Sequence, residues 1–462
     1  MARDTTDTTP ITTRDDLVGW FEAGCKSTQA IGIEHEKLPF YRGDLAPVPY
    51  EGDPATGRGG VRALLEGLAA RQGWTPILED GKPIGLSDDA GAAVSLEPGG
   101  QFELSGAPLR SLHESRDELA AHLGTVKAVA EPLGIGFLAL GASPRWSLAE
   151  APIMPKGRYR IMADYMPKVG TRGLDMMFRT STVQANLDFS SEADMVRKLR
   201  VSLALQPVAT ALFANSPFKE GRPSGFLSER SHIWRDTDKA RSGMMPFAFE
   251  PGMGFERYVD YALDVPLYFV KRGDRYHDVS GASFRDLLEG RLEALPGERA
   301  TLSDWANHLS TLFPEVRLKR YLEMRGEDVG PAEMIVALGA LFTGLLYDGT
   351  ALDAATDLVA PWSGADQAGL RQDLRDAVPE LGFRAVVAGR TLRDVSRDML
   401  AIARRGLAAR GFRDAEGRDE TRYLAPLDDL VDRGRTLADA LLERYRGAWN
   451  GSVDPAFVEC AY

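Results

Sequence analysis

Hydrophobic and polar positions alternate strictly in three stretches of this chain. In TSTVQANLDF, residues 180–189, Val183, Ala185, Leu187 and Phe189 fall on one side of an extended strand. Thr180, Thr182, Gln184, Asn186 and Asp188 fall on the other. QFELS divides the same way, Phe102 and Leu104 against Gln101, Glu103 and Ser105, and IGIEHE sets Glu34 and Glu36 opposite Ile31 and Ile33. Strands with one apolar and one hydrogen-bonding face predict an antiparallel sheet packed on helices, its polar face open to solvent or ligand. A parallel sheet buried on both faces needs continuous apolar runs, which the chain lacks. The expected fold class is α+β.

Helical spacing is equally legible. Ser191 should cap a helix reaching Leu212, with Met195, Leu199, Leu203, Val208 and Leu212 on one face. Pro207 is expected to bend or interrupt it. Further helices are expected over 118–130, stopped by Pro132 and Gly134, and over 391–409 and 436–449, so the C-terminal third is largely helical. The longest apolar stretch, 334–346, is shorter than the ~20 residues needed to cross a bilayer and reads as a buried helix. No repeat or low-complexity linker divides the 462 residues. A single catalytic domain over 1–462 is expected, with roughly the first 12 residues, polar and Thr-rich, flexible.

Charge narrows the partners. Fifty-five Lys and Arg against 67 Asp and Glu leave −12, which disfavours phosphate backbones and anionic membranes but not a local cationic pocket. Neither a nucleic acid nor a membrane is an expected partner; the oligomeric state is left open. Only Cys25 and Cys460 occur, with no CxxC, so zinc ribbons and dithiol chemistry are excluded. No apolar signal core follows Met1. A reducing, cytoplasmic setting is expected.

The candidate chemistry lies on the polar strand faces. Glu34 and Glu36 project together, Glu97 and Glu103 flank Pro98-Gly99-Gly100, and Glu323 sits between Arg320 and Arg325. Carboxylates sharing a cavity repel one another unless a hard divalent cation screens them, and Mg²⁺ with nucleotide phosphates is the usual occupant. Cations stand nearby in sequence: Arg179 before the polar strand, then Arg230, Arg235, Lys239 and Arg241, with Lys156, Arg158, Arg160 and Lys168 in Gly/Pro-rich turns. Arg forks suit carboxylate or phosphate oxygens. Each group also reads as a polar strand face or a solvated loop paired with Asp236 and Asp238. GWFEAGCKS imitates a Walker loop, but Cys25 intrudes between Gly24 and Lys26, so nucleotide binding would rest on metal and sheet. His35 points away from Glu34 and Glu36 and reads as structural.

Together these segments resemble the plant and proteobacterial type of glutamate–cysteine ligase over nearly the whole chain. The resemblance is carried by IGIEHEK (31–37), SLEPGGQFELSGAPL (95–109), MPKGRYRIM (154–162), the run from YMPKVG to FANSPF (165–218), RSHIWRDTD (230–238), GFERYVDYALDVP (254–266), LSDWANHLSTLFPEVRLKRYLEMRG (302–326) and the final 441–462. It implies a glutamine-synthetase-like antiparallel β-sheet forming a concave active site surrounded by helices. It also implies an ATP-dependent carboxylate–amine ligase with ATP and Mg²⁺ as cofactors and glutamate and cysteine as substrates. The γ-carboxylate would take the γ-phosphate of ATP, and the amine of cysteine would displace phosphate from γ-glutamyl phosphate, the first step towards glutathione.

By the same resemblance, Glu34, Glu36, Glu97, Glu103, Gln184 and Glu323 would be metal ligands. Gln184, Asn186 and Arg325 would contact phosphates. Arg179 and Arg230 would be catalytic and hold substrate, with Arg235 and Tyr165 as further substrate contacts. Ser181 and Ala185 replace the family's common cysteine and valine on the core face. The segment after Gly326 also departs, which leaves open a γ-glutamyl ligase with another amine acceptor, or a non-catalytic nucleotide-binding relative.

Overall fold

The computed structural model describes residues 7–462, so the first six of the residues expected to be flexible lie outside it. Residues after them are tied down: Leu302 N donates to Thr9 O, Ile11 N donates to Ala300 O, and the Ile11 side chain is buried.

Eight strands form the main sheet: β1 (Ile31–His35), β2 (Thr75–Glu79), β3 (Lys82–Ser87), β4 (Ala93–Leu96), β5 (Phe102–Ser105), β6 (Thr182–Leu187), β7 (Val316–Leu318) and β8 (Leu322–Asp328). Across the sheet the order is β7-β8-β6-β1-β5-β4-β3-β2, and every neighbouring pair is antiparallel. The register assembles the polar face. Glu34 stands opposite Gln184 on one side and Ser105 on the other, and Glu323 stands opposite both Asn186 and Arg317. Because side chains alternate, Ile33, Val183, Ala185 and Leu187, and at the other end of the sheet Leu86, Val94, Phe102 and Leu104, then meet the helices beneath.

Those helices are α1 (Val61–Gln72), α2 (Leu112–Ala130), α5 (Glu192–Phe213) and α7 (Ala332–Leu346), while α3 (Gly157–Tyr165), α4 (Gly173–Arg179) and α6 (Glu229–Ile233) contribute to the rim of the other face. α2 begins six residues earlier than its apolar spacing suggests, since Ser111 Oγ accepts from Glu114 N and caps it there. α5 runs through Pro207 without ending. A proline removes the amide donor of the carbonyl four residues back, here Leu203 O, and the Trp362 indole donates to the neighbouring Ala204 O at 3.0 Å. α7 is the buried helix expected at 334–346, and α8 (Gly349–Val359) follows it after a 93° bend. Among the described residues, no single helix is long and apolar enough to cross a membrane.

α7 also packs against α9 (Leu392–Arg410), the helix expected over 391–409. Their contact is backbone to backbone: a Cβ at Gly406 would lie 1.8 Å from Gly344 O. Gly406→Ala is expected to force the pair apart and cost about 1–3 kcal/mol in urea unfolding; an unchanged midpoint would refute this close packing.

Candidate active site

The polar face of the sheet floors a cavity of about 860 Å³. Glu34, Glu36, Gln184 and Thr182 reach it from β1, β6 and their ends, Glu97, Gln101 and Glu103 from the β4–β5 hairpin, and Arg317 and Arg325 from β7 and β8. Lys156, Arg158, Tyr159 and Met162 close it from α3 and the segment before it, Met176 and Met177 from α4, and Arg230 and Trp234 from α6 and its end.

Local sequence explains the two acidic edges. Glu36 lies just past β1, where its backbone N donates to Thr182 O and its Oε2 accepts from Thr182 N at 3.0 Å. The Glu97–Gln101 turn needs Gly100 at φ +85°, and Gly99 lies so close to Phe178 O that a Cβ would meet it at 2.4 Å. Gln101 clamps this turn to the end of α4: its Oε1 accepts from Gly99 N (2.8 Å), and its Nε2 donates to Met177 O (3.1 Å) and Thr180 O (2.8 Å). Glu103 Oε1 accepts from Ser105 Oγ at 2.7 Å.

The electrostatics split the site. Burial, then the nearby Glu103 and Glu97, pushes Glu36 well above the usual carboxylate range, against the pull of Arg230. Burial raises Glu34 too, with Lys319 opposing and Glu103 and Glu323 adding to the rise. Glu323 is the opposite case. Burial alone would raise it, yet Arg317, Lys319 and Arg325 hold it far below the usual range. Arg317 Nη2 donates to its Oε1 at 2.7 Å, Lys319 Nζ to Oε2 at 2.6 Å and Arg325 Nε to Oε1 at 3.0 Å. Glu323 thus pairs with cations beneath the cavity rather than lining it, and the structure does not bring it to the other residues expected as metal ligands. The same cluster, chiefly through burial and the adjacent Arg317, lowers Arg325 to about 10.

The other expected site residues separate. Arg230 lines the cavity with its Nη2 donating to Arg325 O at 2.9 Å. Arg179 does not: its buried guanidinium pairs with Asp175, and donates to Glu220 at 2.8 Å and to Trp146 O at 3.0 Å. α4 ends at Arg179, which turns the side chain back along the helix onto Asp175 and away from the cavity. Arg235 pairs with Asp376 at 3.0 Å on the outer side of its turn, and Tyr165 packs edge-on against Tyr268 in the core. Arg179, Arg235 and Tyr165 thus stand outside the residues that line this cavity. Asn186 lines a second cavity, of about 1040 Å³, and its Nδ2 donates to Glu34 Oε1 at 2.6 Å. Glu34 is the wall both cavities share.

Sequence reasoning left Lys156 and Arg158 undecided and missed Gln101, Tyr159, Arg317 and the methionine wall. Arg317 was within reach: extending the alternation of β8 back through the tight turn places it directly opposite Glu323. Lys156 carries no such signal, because only the fold brings its Nζ to Leu96 O, at 2.8 Å. The segment after Gly326 completes buried β8 and continues into α7, and none of its residues lines the cavity. His35 is indeed structural, buried beside His122.

Comparison with known proteins fits this arrangement. The model of glutamate-cysteine ligase family 2 (GCS2) matches residues 30–459. The chain belongs to that family. This family member is 53% identical over 452 residues to the chloroplastic glutamate–cysteine ligase of Solanum lycopersicum, covering 97% of this chain and 83% of the relative. It is 53% identical to the Arabidopsis thaliana chloroplastic enzyme over the same spans. A crystal structure of a glutamate–cysteine ligase from Francisella tularensis in complex with AMP aligns over 94% of this chain and 88% of its own, with TM-score 0.53 and 14% identity, a shared fold. The α+β fold and the ligase family expected from sequence both hold. The cytoplasmic expectation does not: these plant relatives are chloroplastic by name. Few cysteines fit reducing conditions, and they do not discriminate between reducing compartments.

Proposed function

We propose that this family member joins glutamate to cysteine at the expense of ATP, phosphorylating the γ-carboxylate of glutamate before the amine of cysteine displaces phosphate. The observation that carries the reading is the opposition of the carboxylates Glu34, Glu36, Glu97 and Glu103 to Arg230, Arg317 and Arg325 across one cavity. Phosphoryl transfer between two anions asks the protein for alignment and charge compensation and for little covalent chemistry.

The donor set fits Mg²⁺. Burial and mutual repulsion push Glu36 up, so a cation bound there would be favoured, and the oxygen-only chemistry suits a hard ion. Among the described residues, no three acidic, His or Cys side chains converge on one point. That agrees with Mg²⁺, which takes one or two carboxylates and completes its shell with phosphate and water. One or two of Glu34, Glu36, Glu97 and Glu103 would hold each ion, with Gln184 beside them. When bound it would screen the triphosphate and polarise the transferring phosphoryl group.

The chain's own residues do the rest. Arg230 holds a carboxylate of glutamate. Arg325, steadied by Glu323 and by Gln184 Oε1 at 3.3 Å, faces the charge on the transferring group. Met162, Met176, Met177, Trp234 and Phe313 form a soft, apolar wall that suits the cysteine thiol over a charged or hydroxylated acceptor. The second cavity, beyond Glu34 and edged by Ala30, Ala92, Ala93 and Pro108 with Lys26, takes the nucleoside end of ATP. The whole chain acts as one catalytic unit, a reading supported by an apolar core that runs from Ile11 to Val431.

Incubation with ATP, Mg²⁺, glutamate and a panel of amines, read by product mass, tests the assignment. γ-Glutamylcysteine should dominate. Equal turnover of other amines would move the protein to a broader γ-glutamyl ligase, and nucleotide binding without any product would make it a sensor. Arg230→Ala is expected to raise KM for glutamate about a hundredfold with a smaller change in KM for ATP. An unchanged glutamate KM would reassign Arg230 to structure.

A further inference from the structure

β8 carries an irregularity directly behind the cavity. Met324 pairs with Ala185 and Glu327 with Val183, so Arg325 and Gly326 together stand opposite Gln184, a β-bulge. This bulge aims two site cations: the Arg325 side chain enters the cavity, and Arg325 O accepts from Arg230 Nη2 at 2.9 Å. Its underside is packed on α5. A Cβ on Gly326 would lie 2.5 Å from Gln206 Nε2, and Gln206 Nε2 donates to Glu327 Oε1 at 2.6 Å.

Glu327 and Gln206 are buried, and each keeps one oxygen without a hydrogen-bond partner among the described residues: Glu327 Oε2 and Gln206 Oε1. Two acceptors left over from one side-chain pair are costly as a carboxylate and an amide. They are complementary if Glu327 keeps its proton, because an Oε2–H group donates to Gln206 Oε1 and closes a ring of two hydrogen bonds. Burial pushes the Glu327 carboxyl up to about 8, against the hydrogen bond from Gln206 and the charge of Arg230.

We propose that Glu327 and Gln206 form a neutral acid–amide pair that holds the β8 bulge and so positions Arg230 and Arg325. The proposal relies on the ligase reading only for what those two arginines do. The charged groups facing Glu327 are Arg230 from α6 and Glu315 from the turn before β7, the latter paired with Arg375 at 2.5 Å. Loss of the proton would break the ring and leave an anion beside Arg230, drawing its guanidinium from the cavity.

The full-length protein tests this with E327Q and Q206L. Gln at 327 stays neutral at every pH and reproduces both hydrogen bonds, whereas Leu at 206 removes them while keeping volume. Wild-type kcat/KM for glutamate should fall on an alkaline limb centred near pH 8, E327Q should retain neutral-pH activity without that limb, and Q206L should lose about a hundredfold through KM and kcat together. Difference infrared spectroscopy on raising the pH should show a protonated-carboxyl carbonyl band disappearing in the wild type and missing from E327Q. Identical limbs in wild type and E327Q, no such band, or Q206L within about twofold of wild type would each overturn the pair. R325A, measured alongside, separates the two readings: full turnover in R325A would sink the site assignment and leave the infrared result standing.

Discussion

Glu36→Gln and Glu103→Gln are each expected to lower turnover about a thousandfold or more while leaving the protein folded. Both carboxylates face the cavity, and Glu103 adds repulsion to Glu36, which burial already raises. An amide keeps the volume and hydrogen-bond acceptance but not the charge that holds a cation against the triphosphate. The folded state gains from the change. Glu36 has a raised value in the native protein, so ionising it costs stability increasingly as pH climbs above the unfolded carboxylate range, and Gln removes that cost. Without nucleotide at pH 7, the Glu36→Gln melting temperature should equal or exceed that of wild type. Loss of activity with a preserved melting temperature marks a catalytic charge. Wild-type rates in both variants would remove the magnesium-nucleotide assignment.

Glu323→Gln should do the reverse and destabilise the protein by about 3–5 kcal/mol, because Arg317, Lys319 and Arg325 would share a buried space with no anion. Its linkage has the opposite sign to that of Glu36. A carboxylate held below its unfolded value contributes stability in full above the unfolded range, and that contribution disappears as pH falls through the native value. The gap between wild type and Glu323→Gln in urea unfolding should therefore be complete at pH 7 and narrow in acid. Activity should fall as well, since Arg317 and Arg325 lose their anchor. If Glu323 served only as a metal ligand, the metal-free variant would unfold like wild type, so a gap under about 1 kcal/mol would reject the anchor role.

The contrast between these two glutamates marks where sequence reading reached its limit. Glu34, Glu36 and Glu103 sit on strands whose alternation assigns a face, and the polar face proved to be the cavity floor. Glu323 sits on such a strand too, but the answer to its charge comes from Arg317 and Lys319, whose partners depend on the β7–β8 register. Arg179 and Arg230 look alike in sequence, each an arginine beside a polar segment. One ends a short helix and folds back onto Asp175, and the other hangs from α6 over Trp234 and into the cavity. Pro207 carried a local signal for a bend or an interruption, and the helix runs on through it among buried neighbours.

By itself, then, the chain's pattern of apolar and polar residues determined the fold class, the antiparallel sheet and the main helices, and the resemblance of its motifs pointed to the family. These follow from side-chain periodicity and from motifs contiguous along the backbone. Tertiary structure alone decided which charges face the cavity and which are spent on one another. That choice depends on distances of a few ångströms set by strand register and helix ends, and on burial that makes each unanswered charge costly.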